Sequence, residues 1–293
     1  MDDAVAKAQV QDTFEDKFVT VDGLKLRYIE AGSGPVLLLL HGASLGSSAD
    51  VFRRNLPPLA KAGFRVLAYD QPGFGLSDTP DDHSPAYRRA SILKFMDAMG
   101  IAKAALIGHS QSGGPAIQTA LQAHDRVSHV VVLGTGTLLP PLDDAGKKGG
   151  AEAAVQQRLE RRMAQAEPTI EDTRKLLEAN LFHHELITPE ELALRHARSI
   201  GKAFAAFCAR NDLAESQPAK QPAVPLWQKS AEVKAPLLMI YGKQDRANAF
   251  ERATKLKQIY PQLDLHIVDG CKHLVPWDAA DEFVRLAVPV LKG

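Results

Sequence analysis

The sequence predicts an α/β architecture: a mostly parallel sheet with helices on both faces, interrupted by an inserted helical lid. Three observations carry this expectation. From about residue 17 to 137, short apolar runs alternate with stretches of helical length, the rhythm of parallel strands joined by crossover helices. That rhythm then stops, and residues 151–215 are dominated by Ala, Glu, Gln, Leu and Arg with no strand signal. After Pro225 the alternation returns. The expected division is a core of residues 1–137 and 233–293, with residues 138–232 as the lid.

The elements follow in order. Residues 18–21 and 24–29 flank Asp22-Gly23, a strong hairpin signal. Residues 36–40 read Val-Leu-Leu-Leu-Leu, a continuous apolar run of the kind buried on both faces. Residues 65–69, 104–107 and 127–133 repeat that type. Pro140-Pro141 and the loop DDAGKKGG open the lid, and QPAKQPAVP closes it. Inside it, Thr188-Pro189-Glu190-Glu191 marks a helix start, with proline in the first turn and acids beside the positive end of the helix dipole. Strands at 237–241 and 265–268, a helix from about Phe250 and a last helix from Asp278 complete the core.

Composition narrows the function classes. Of 293 residues, 45% are hydrophobic and 24% charged, enough apolar material for one large core with an insertion. Lys plus Arg balances Asp plus Glu at 35 each, so no net field draws the chain toward nucleic acid or an anionic membrane. The pairs Arg53-Arg54, Arg88-Arg89 and Arg161-Arg162 read as solvated helix faces. Two cysteines make no disulfide framework in a chain of this length. The N-terminus lacks an apolar run, so neither a signal peptide nor an anchor is expected, and the chain reads as soluble and cytoplasmic.

The segment AALIGHSQSGGPAIQ carries the chemistry. A buried strand runs into Gly108-His109-Ser110-Gln111-Ser112-Gly113-Gly114, and helical sequence follows. A sharp strand-to-helix turn exposes the hydroxyl at its tip and tolerates only small residues two positions to either side. Gly108 and Ser112 fill those positions, Ser112 where glycine is usual. Ser110 is thus the expected nucleophile; Ser112 competes with it, or is simply small.

A serine nucleophile needs a base, and the base needs an orienting acid. Ten histidines are available. His273 follows the strand at 265–268 and the Asp269-Gly270 turn, where a base facing Ser110 is expected. Asp245 ends the run LLMIYGKQD at the carboxyl edge of the sheet, and the preceding strand end, LGTG, offers no carboxylate. Asp269 reads as the start of its turn, and Asp70 as a loop stabiliser. His183-His184 read as surface residues, His41 as structural, and His109 as a packed neighbour pointing away on the pleat. The backbone N–H groups of Ala43, after the strand at 36–40, and of Gln111 are the expected oxyanion donors.

These motifs resemble the α/β-hydrolase superfamily over nearly the whole chain, including Asp70-x-Pro72-Gly73-Phe74-Gly75-x-Ser77-Asp78. Ser110 at the elbow argues against the branches that carry Asp there, the haloalkane dehalogenases and epoxide hydrolases. A closer resemblance is to the meta-cleavage-product hydrolases. It rests on HGASLGSSA with Gly46 and Ser48, on the lid segment LITPEELALRHARS, and on CKHLVPWDAADEF with Trp277. The resemblance implies a substrate-binding arginine at Arg195 and a pocket lined by Ser44, Leu274 and Trp277. The chain departs from that family at Ser44 and Leu45, and at Lys272 and Leu274, which flank the expected base. Implied too is hydrolysis of the carbon–carbon bond of a 2-hydroxy-6-oxo-dienoate through an acyl-enzyme on Ser110, without metal or organic cofactor. A carboxylesterase or lactonase using the same residues is the alternative, and a ligand-binding receptor on a hydrolase scaffold a more distant one. The expected partner is a small-molecule substrate; whether the chain forms a homo-oligomer is left open.

Overall fold

Strands β1 (Lys17–Val21) and β2 (Leu24–Ala31) pair antiparallel. Between them Asp22 and Gly23 both take positive φ, 50° and 80°, as a two-residue hairpin turn requires. The remaining strands are β3 (Val36–Leu40), β4 (Arg65–Tyr69), β5 (Ala104–His109), β6 (Val127–Leu133), β7 (Leu237–Gly242) and β8 (Asp264–Val268). This computed structural model describes residues 14–142, 165–216 and 224–293. The eight strands of the described residues form one sheet in the order β1-β2-β4-β3-β5-β6-β7-β8. β2 joins β4 antiparallel, and every pairing from β4 across to β8 is parallel. The expected strands at 36–40, 65–69 and 127–133 are observed with those bounds, while β5 runs on to His109.

The α-helices of the described residues are α1 (Leu56–Lys61), α2 (Pro85–Ala98), α3 (Gly113–Gln122), α4 (Ile170–Asn180), α5 (Pro189–Ala197), α6 (Lys202–Ser216), α7 (Leu226–Lys229), α8 (Ala249–Ile259), α9 (Val275–Asp278) and α10 (Ala280–Lys292). Side chains alternate across the parallel strands, so each strand feeds two cores. Leu37, Leu39, Ile107, Val131 and Ile240 pack with Leu56 of α1 and Phe283 and Leu291 of α10. Leu38, Leu40, Leu106, Val132 and Met239 face the other way, onto Phe95 of α2, Ile117 of α3 and Leu256 of α8. Continuous apolar runs are therefore what a sheet covered on both faces needs. The single last helix expected from Asp278 is instead two, α9 and α10, separated at Ala279.

Among the described residues between β6 and β7 there is no strand. Helix α5 begins as its sequence dictates: the Thr188 side chain caps it by accepting the Glu191 N–H at 3.3 Å, and Pro189 opens the first turn. The loop DDAGKKGG, the start of the expected helical stretch with Arg161-Arg162, and most of QPAKQPAVP lie outside the described residues. No helix of the described residues is long and apolar enough to cross a membrane.

One buried ionic cluster ties the hairpin to the loops that carry the site. The Arg27 guanidinium is fully buried and pairs with Asp50 at 2.7 Å and Asp70 at 3.2 Å. Asp70 also accepts the N–H groups of Ala49 at 2.6 Å and Leu76 at 2.8 Å, so it stabilises its loop as expected from the sequence. Asp50 in turn accepts from Arg198, at 3.1 Å, just after α5. Replacing Arg27 by Ala would leave two buried carboxylates without their shared cation, and we expect a loss of about 3–5 kcal/mol in unfolding free energy. Urea titration of Arg27→Ala checks this; a loss under about 1 kcal/mol would mean that water readily replaces the guanidinium.

Candidate active site

The elbow is built by a chain reversal that only its own residues permit. Strand β5 ends at His109, Ser110 adopts φ 55°, and a 3-10 turn over Ser110–Ser112 leads into α3. A left-handed conformation costs a non-glycine residue about 1–2 kcal/mol, so the surrounding contacts must hold Ser110 there. Thr135 does part of this, donating its hydroxyl to the Ser110 carbonyl at 2.6 Å. At Gly108 a Cβ would stand 2.7 Å from the Ser112 carbonyl oxygen and from Gly113 Cα, which are backbone and cannot yield. The small-residue rule is a steric fact at this position.

Loops at the carboxyl ends of β5, β7 and β8 bring the three expected residues together. His273 Nε2 lies 2.8 Å from Ser110 Oγ, and His273 Nδ1 lies 3.0 Å from Asp245 Oδ2. The other Asp245 oxygen accepts the Arg246 N–H at 2.7 Å. Burial opposes ionisation of Asp245, but His273 and the Arg246 N–H outweigh it and hold the carboxyl below its ordinary value. The acid is thereby kept anionic against the imidazole, which fixes Nδ1 as the donor and leaves Nε2 to accept from Ser110. Asp269 stays apart, accepting from the Gly270 N–H in its own turn and from Lys243 after β7, and His183 pairs at the surface with Glu185.

Two cavities meet at Ser110. One is narrow, about 10 Å³, and is lined by Gly42, Ser44, His109, Ser110, Arg195 and Leu274 among others. That volume is close to the space of a single water. The second, about 360 Å³, is lined by Gln111, Thr137, Leu139, Arg246 and Arg252 among others. Ser44, Leu274 and Arg195 thus reach the narrow cleft, as the resemblance implies. Ala43 lies between its lining residues Gly42 and Ser44, and Gln111 borders the wider cavity. Trp277 does not reach either one. It is buried behind the site, where its Nε1–H donates to the Val51 carbonyl at 2.9 Å and Arg54 lies over its ring, so the substrate contact expected there is replaced by a packing role.

Arg195 crosses from α5 to the loop after β3. Its Nη2 donates to Ser44 Oγ at 2.9 Å, while its buried Nε has no partner. Burial pushes this guanidinium down to about 10, still cationic at neutral pH. Gly46 permits the approach: at φ 73°, a Cβ there would lie 2.9 Å from Arg195 Nε and 2.3 Å from Ser199 Oγ.

Three readings from the sequence need correction. Arg88 is not on a solvated face: it is half-buried and donates to Gln71 Oε1 at 2.7 Å and Ser112 Oγ at 2.7 Å. Arg54 also turns inward, pairing with Glu191 at 3.4 Å. His109 does not point away, because it lines the narrow cleft and donates Nε2–H to the His273 carbonyl at 2.9 Å. Burial, with His273 beside it, pushes the His109 pKa down to about 3, so its ring is neutral. Ser112 is buried and hydrogen-bonded rather than merely small: it donates to the His41 carbonyl at 2.5 Å. Sequence reasoning missed Arg88, Gln71 and Thr135. The apolar stripe of α2 lies at Ile92, Phe95 and Met96, and an Arg-Arg pair a turn before it carries no signal that one member turns inward.

Residues 35–280 match the family model for the alpha/beta hydrolase fold, and the chain belongs to that family. It is an enzyme of the hydrolase class. It is 30% identical over 292 residues to the 2-hydroxy-6-oxononadienedioate/2-hydroxy-6-oxononatrienedioate hydrolase of Comamonas testosteroni, with 97% of this chain and 99% of that relative covered. It is 29% identical over 291 residues to the 2-hydroxy-6-oxo-6-phenylhexa-2,4-dienoate hydrolase of Burkholderia cepacia, covering 97% and 98%. Among solved structures, a meta-cleavage product hydrolase from Pseudomonas fluorescens IP01, complexed with acetates, superposes with a TM-score of 0.74 at 26% identity, covering 94% of this chain and 97% of that one.

Proposed function

We propose that this enzyme hydrolyses the carbon–carbon bond of a 2-hydroxy-6-oxo-dienoate, with Ser110 as nucleophile, His273 as general base and acid, and Asp245 as the orienting acid. The observation that carries the reading is Arg195: a cation with an unpartnered buried Nε, in the lining of a cleft that shares Ser110 and His273 with a cavity of about 360 Å³. A molecule with a carboxylate at one end and a ketone some carbons away fits that division. The relatives act on substrates of this class.

The contacts of Ser110, His273, Asp245 and Arg195 support the following steps. Arg195 and Ser44 hold the carboxylate, and the dienol ketonises: the 2-hydroxyl loses its proton and C5 gains one. Ser110 Oγ passes its proton to His273 Nε2 and attacks the C6 carbonyl, whose oxygen receives the N–H groups of Ala43 and Gln111. The C5–C6 bond breaks, its electron pair moving through the carbon chain to the C2 oxygen, which takes the proton carried by His273 and restores the dienol, while the acyl group stays on Ser110 and His273 is again neutral. Water, deprotonated by His273, then releases the carboxylic acid. Asp245 stabilises the imidazolium in both halves. Residues 138–232 act as the lid that carries Arg195, and the acyl arm occupies the wider cavity.

The narrowness of the Arg195 cleft favours a second reading, hydrolysis of esters or lactones whose alcohol side is small. Two substrates separate them: a yellow 2-hydroxy-6-oxo-dienoate and p-nitrophenyl acetate. We expect loss of the dienoate colour, and in Arg195→Gln a drop in kcat/KM of about 10- to 100-fold on the dienoate, the worth of a hydrogen bond to a charged group. On the ester the same variant should stay within about threefold, because that substrate has no carboxylate for Arg195 to hold. Ester turnover without dienoate turnover supports the second reading; equal effects of Arg195→Gln on both substrates remove its carboxylate role.

A further inference from the structure

The two backbone N–H groups assigned to the oxyanion belong to the peptides Gly42–Ala43 and Ser110–Gln111, and both are gripped from their carbonyl ends. Ser110 O accepts the Thr135 hydroxyl at 2.6 Å and the Gly113 N–H. Gly42 O accepts His41 Nδ1–H at 2.7 Å and Arg88 Nη2 at 3.4 Å. The His41 tautomer follows from its other nitrogen, because Nε2 accepts the Gln71 N–H at 3.0 Å and so Nδ1 bears the proton. Burial holds that ring neutral. Arg88 is the one cation among these four donors.

The position of Arg88 is over-determined. Besides Gly42 O, its guanidinium reaches Ser112 Oγ and Gln71 Oε1, both at 2.7 Å, His41 O at 3.2 Å and Gln111 Oε1 at 3.3 Å. The Phe74 ring lies 5.2 Å away. No carboxylate of the described residues pairs with it, and every group its guanidinium hydrogen-bonds is neutral. Ser112 is the seat: its hydroxyl accepts from Arg88 and from Gln71 Nε2 at 3.1 Å, and donates to His41 O. Glycine, the usual residue at this place in the elbow, offers none of these bonds.

A donor on an amide carbonyl polarises the peptide and strengthens the N–H at its far end, and a cationic donor does so more than a neutral one. We propose that Arg88, seated on Ser112, is a positioning residue that fixes and polarises the Gly42–Ala43 peptide, so that the Ala43 N–H stabilises the oxyanion. This rests on the reading of Ser110 as nucleophile. It gives the serine at position 112 a function tied to the transition state, with the ground-state substrate largely indifferent to it.

The test uses Arg88→Met, Arg88→Lys, Ser112→Gly and the double variant Arg88→Met with Ser112→Gly. Readouts are kcat and KM on p-nitrophenyl acetate and inhibition by phenylboronic acid, whose tetrahedral adduct on Ser110 presents an oxygen to the same donors. For Arg88→Met we expect kcat to fall about tenfold to a hundredfold, below the loss of a whole oxyanion donor, with KM within about twofold. Boronate affinity should weaken in parallel. Arg88→Lys should recover part of the loss because it keeps the charge, and Ser112→Gly should fall between. The double variant should fall well short of the product of the two single losses, since the Ser112 bonds act on the oxyanion through Arg88. The proposal is overturned if folded Arg88→Met keeps kcat and boronate affinity within about twofold, or if the losses appear in KM. Should Arg88→Met not fold by circular dichroism, Arg88→Lys and Ser112→Gly decide in the same way. An unsubstituted enzyme that neither turns over substrate nor binds boronate defeats the Ser110 reading itself, which is a different result.

Discussion

Ser110→Ala should abolish turnover, with kcat falling roughly 10⁴- to 10⁶-fold on dienoate and ester alike, while substrate still binds. The hydroxyl is the atom that His273 Nε2 approaches to 2.8 Å, and no neighbour can replace it. Ser112 cannot serve, because its oxygen is buried and committed to His41 O, Arg88 and Gln71. Pre-steady-state absorbance gives the binding half of the prediction and steady-state turnover the other. Residual activity above about 1% would mean that another group attacks. Ser110→Gly adds a structural check. At φ 55° a Cβ is strained, so glycine should be more stable than alanine here by roughly 0.5–1 kcal/mol, after its greater freedom in the unfolded chain is subtracted. Equal unfolding free energies for the two variants would mean that the elbow carries no such strain.

Asp245→Asn should lower kcat by roughly 10⁴-fold with little change in KM. The amide keeps the shape but can donate its N–H to His273 Nδ1, which turns the imidazole to the tautomer whose Nε2 bears the proton and cannot accept from Ser110. The pH dependence has a definite sign. The Asp245 carboxyl is held below its ordinary value, so its contribution is present above the ordinary carboxylate pKa and fades only as pH falls through the lower folded value. The native enzyme should therefore lose the Asp245 contribution as pH falls below the ordinary carboxylate value, and Asp245→Asn should lack that component of acid destabilisation. Rate profiles and urea unfolding between pH 3 and 8 measure both. A loss under tenfold at pH 8 would show that the acid only fills space.

Much of this was legible along the chain because it is local. A four-leucine run too short for a helix and bounded by Pro35 and Gly42 reads as a strand covered on both faces, and Asp22-Gly23 favours a two-residue hairpin turn. Chain order and strand ends singled out Ser110, Asp245 and His273, since loops leaving the carboxyl edge of neighbouring parallel strands must converge. Trp277 and Arg88 were not legible for the opposite reason. Trp277 lies in the motif around the expected base and Arg88 in a basic pair on α2, yet the side-chain direction of each depends on what packs against it from distant segments: Val51 and Arg54 around Trp277, and Gln71, Ser112 and His41 around Arg88.

From sequence alone came the order of strands and helices, the small-residue elbow and the identity of its serine, all consequences of sterics over a few adjacent residues. Only the tertiary structure decided that the serine at 112 seats a cation, that His109 lines the cleft, and that Arg195 has a buried nitrogen left over. Hydrogen-bond partners across the fold are set by which loops meet, and that is a property of the packed chain as a whole.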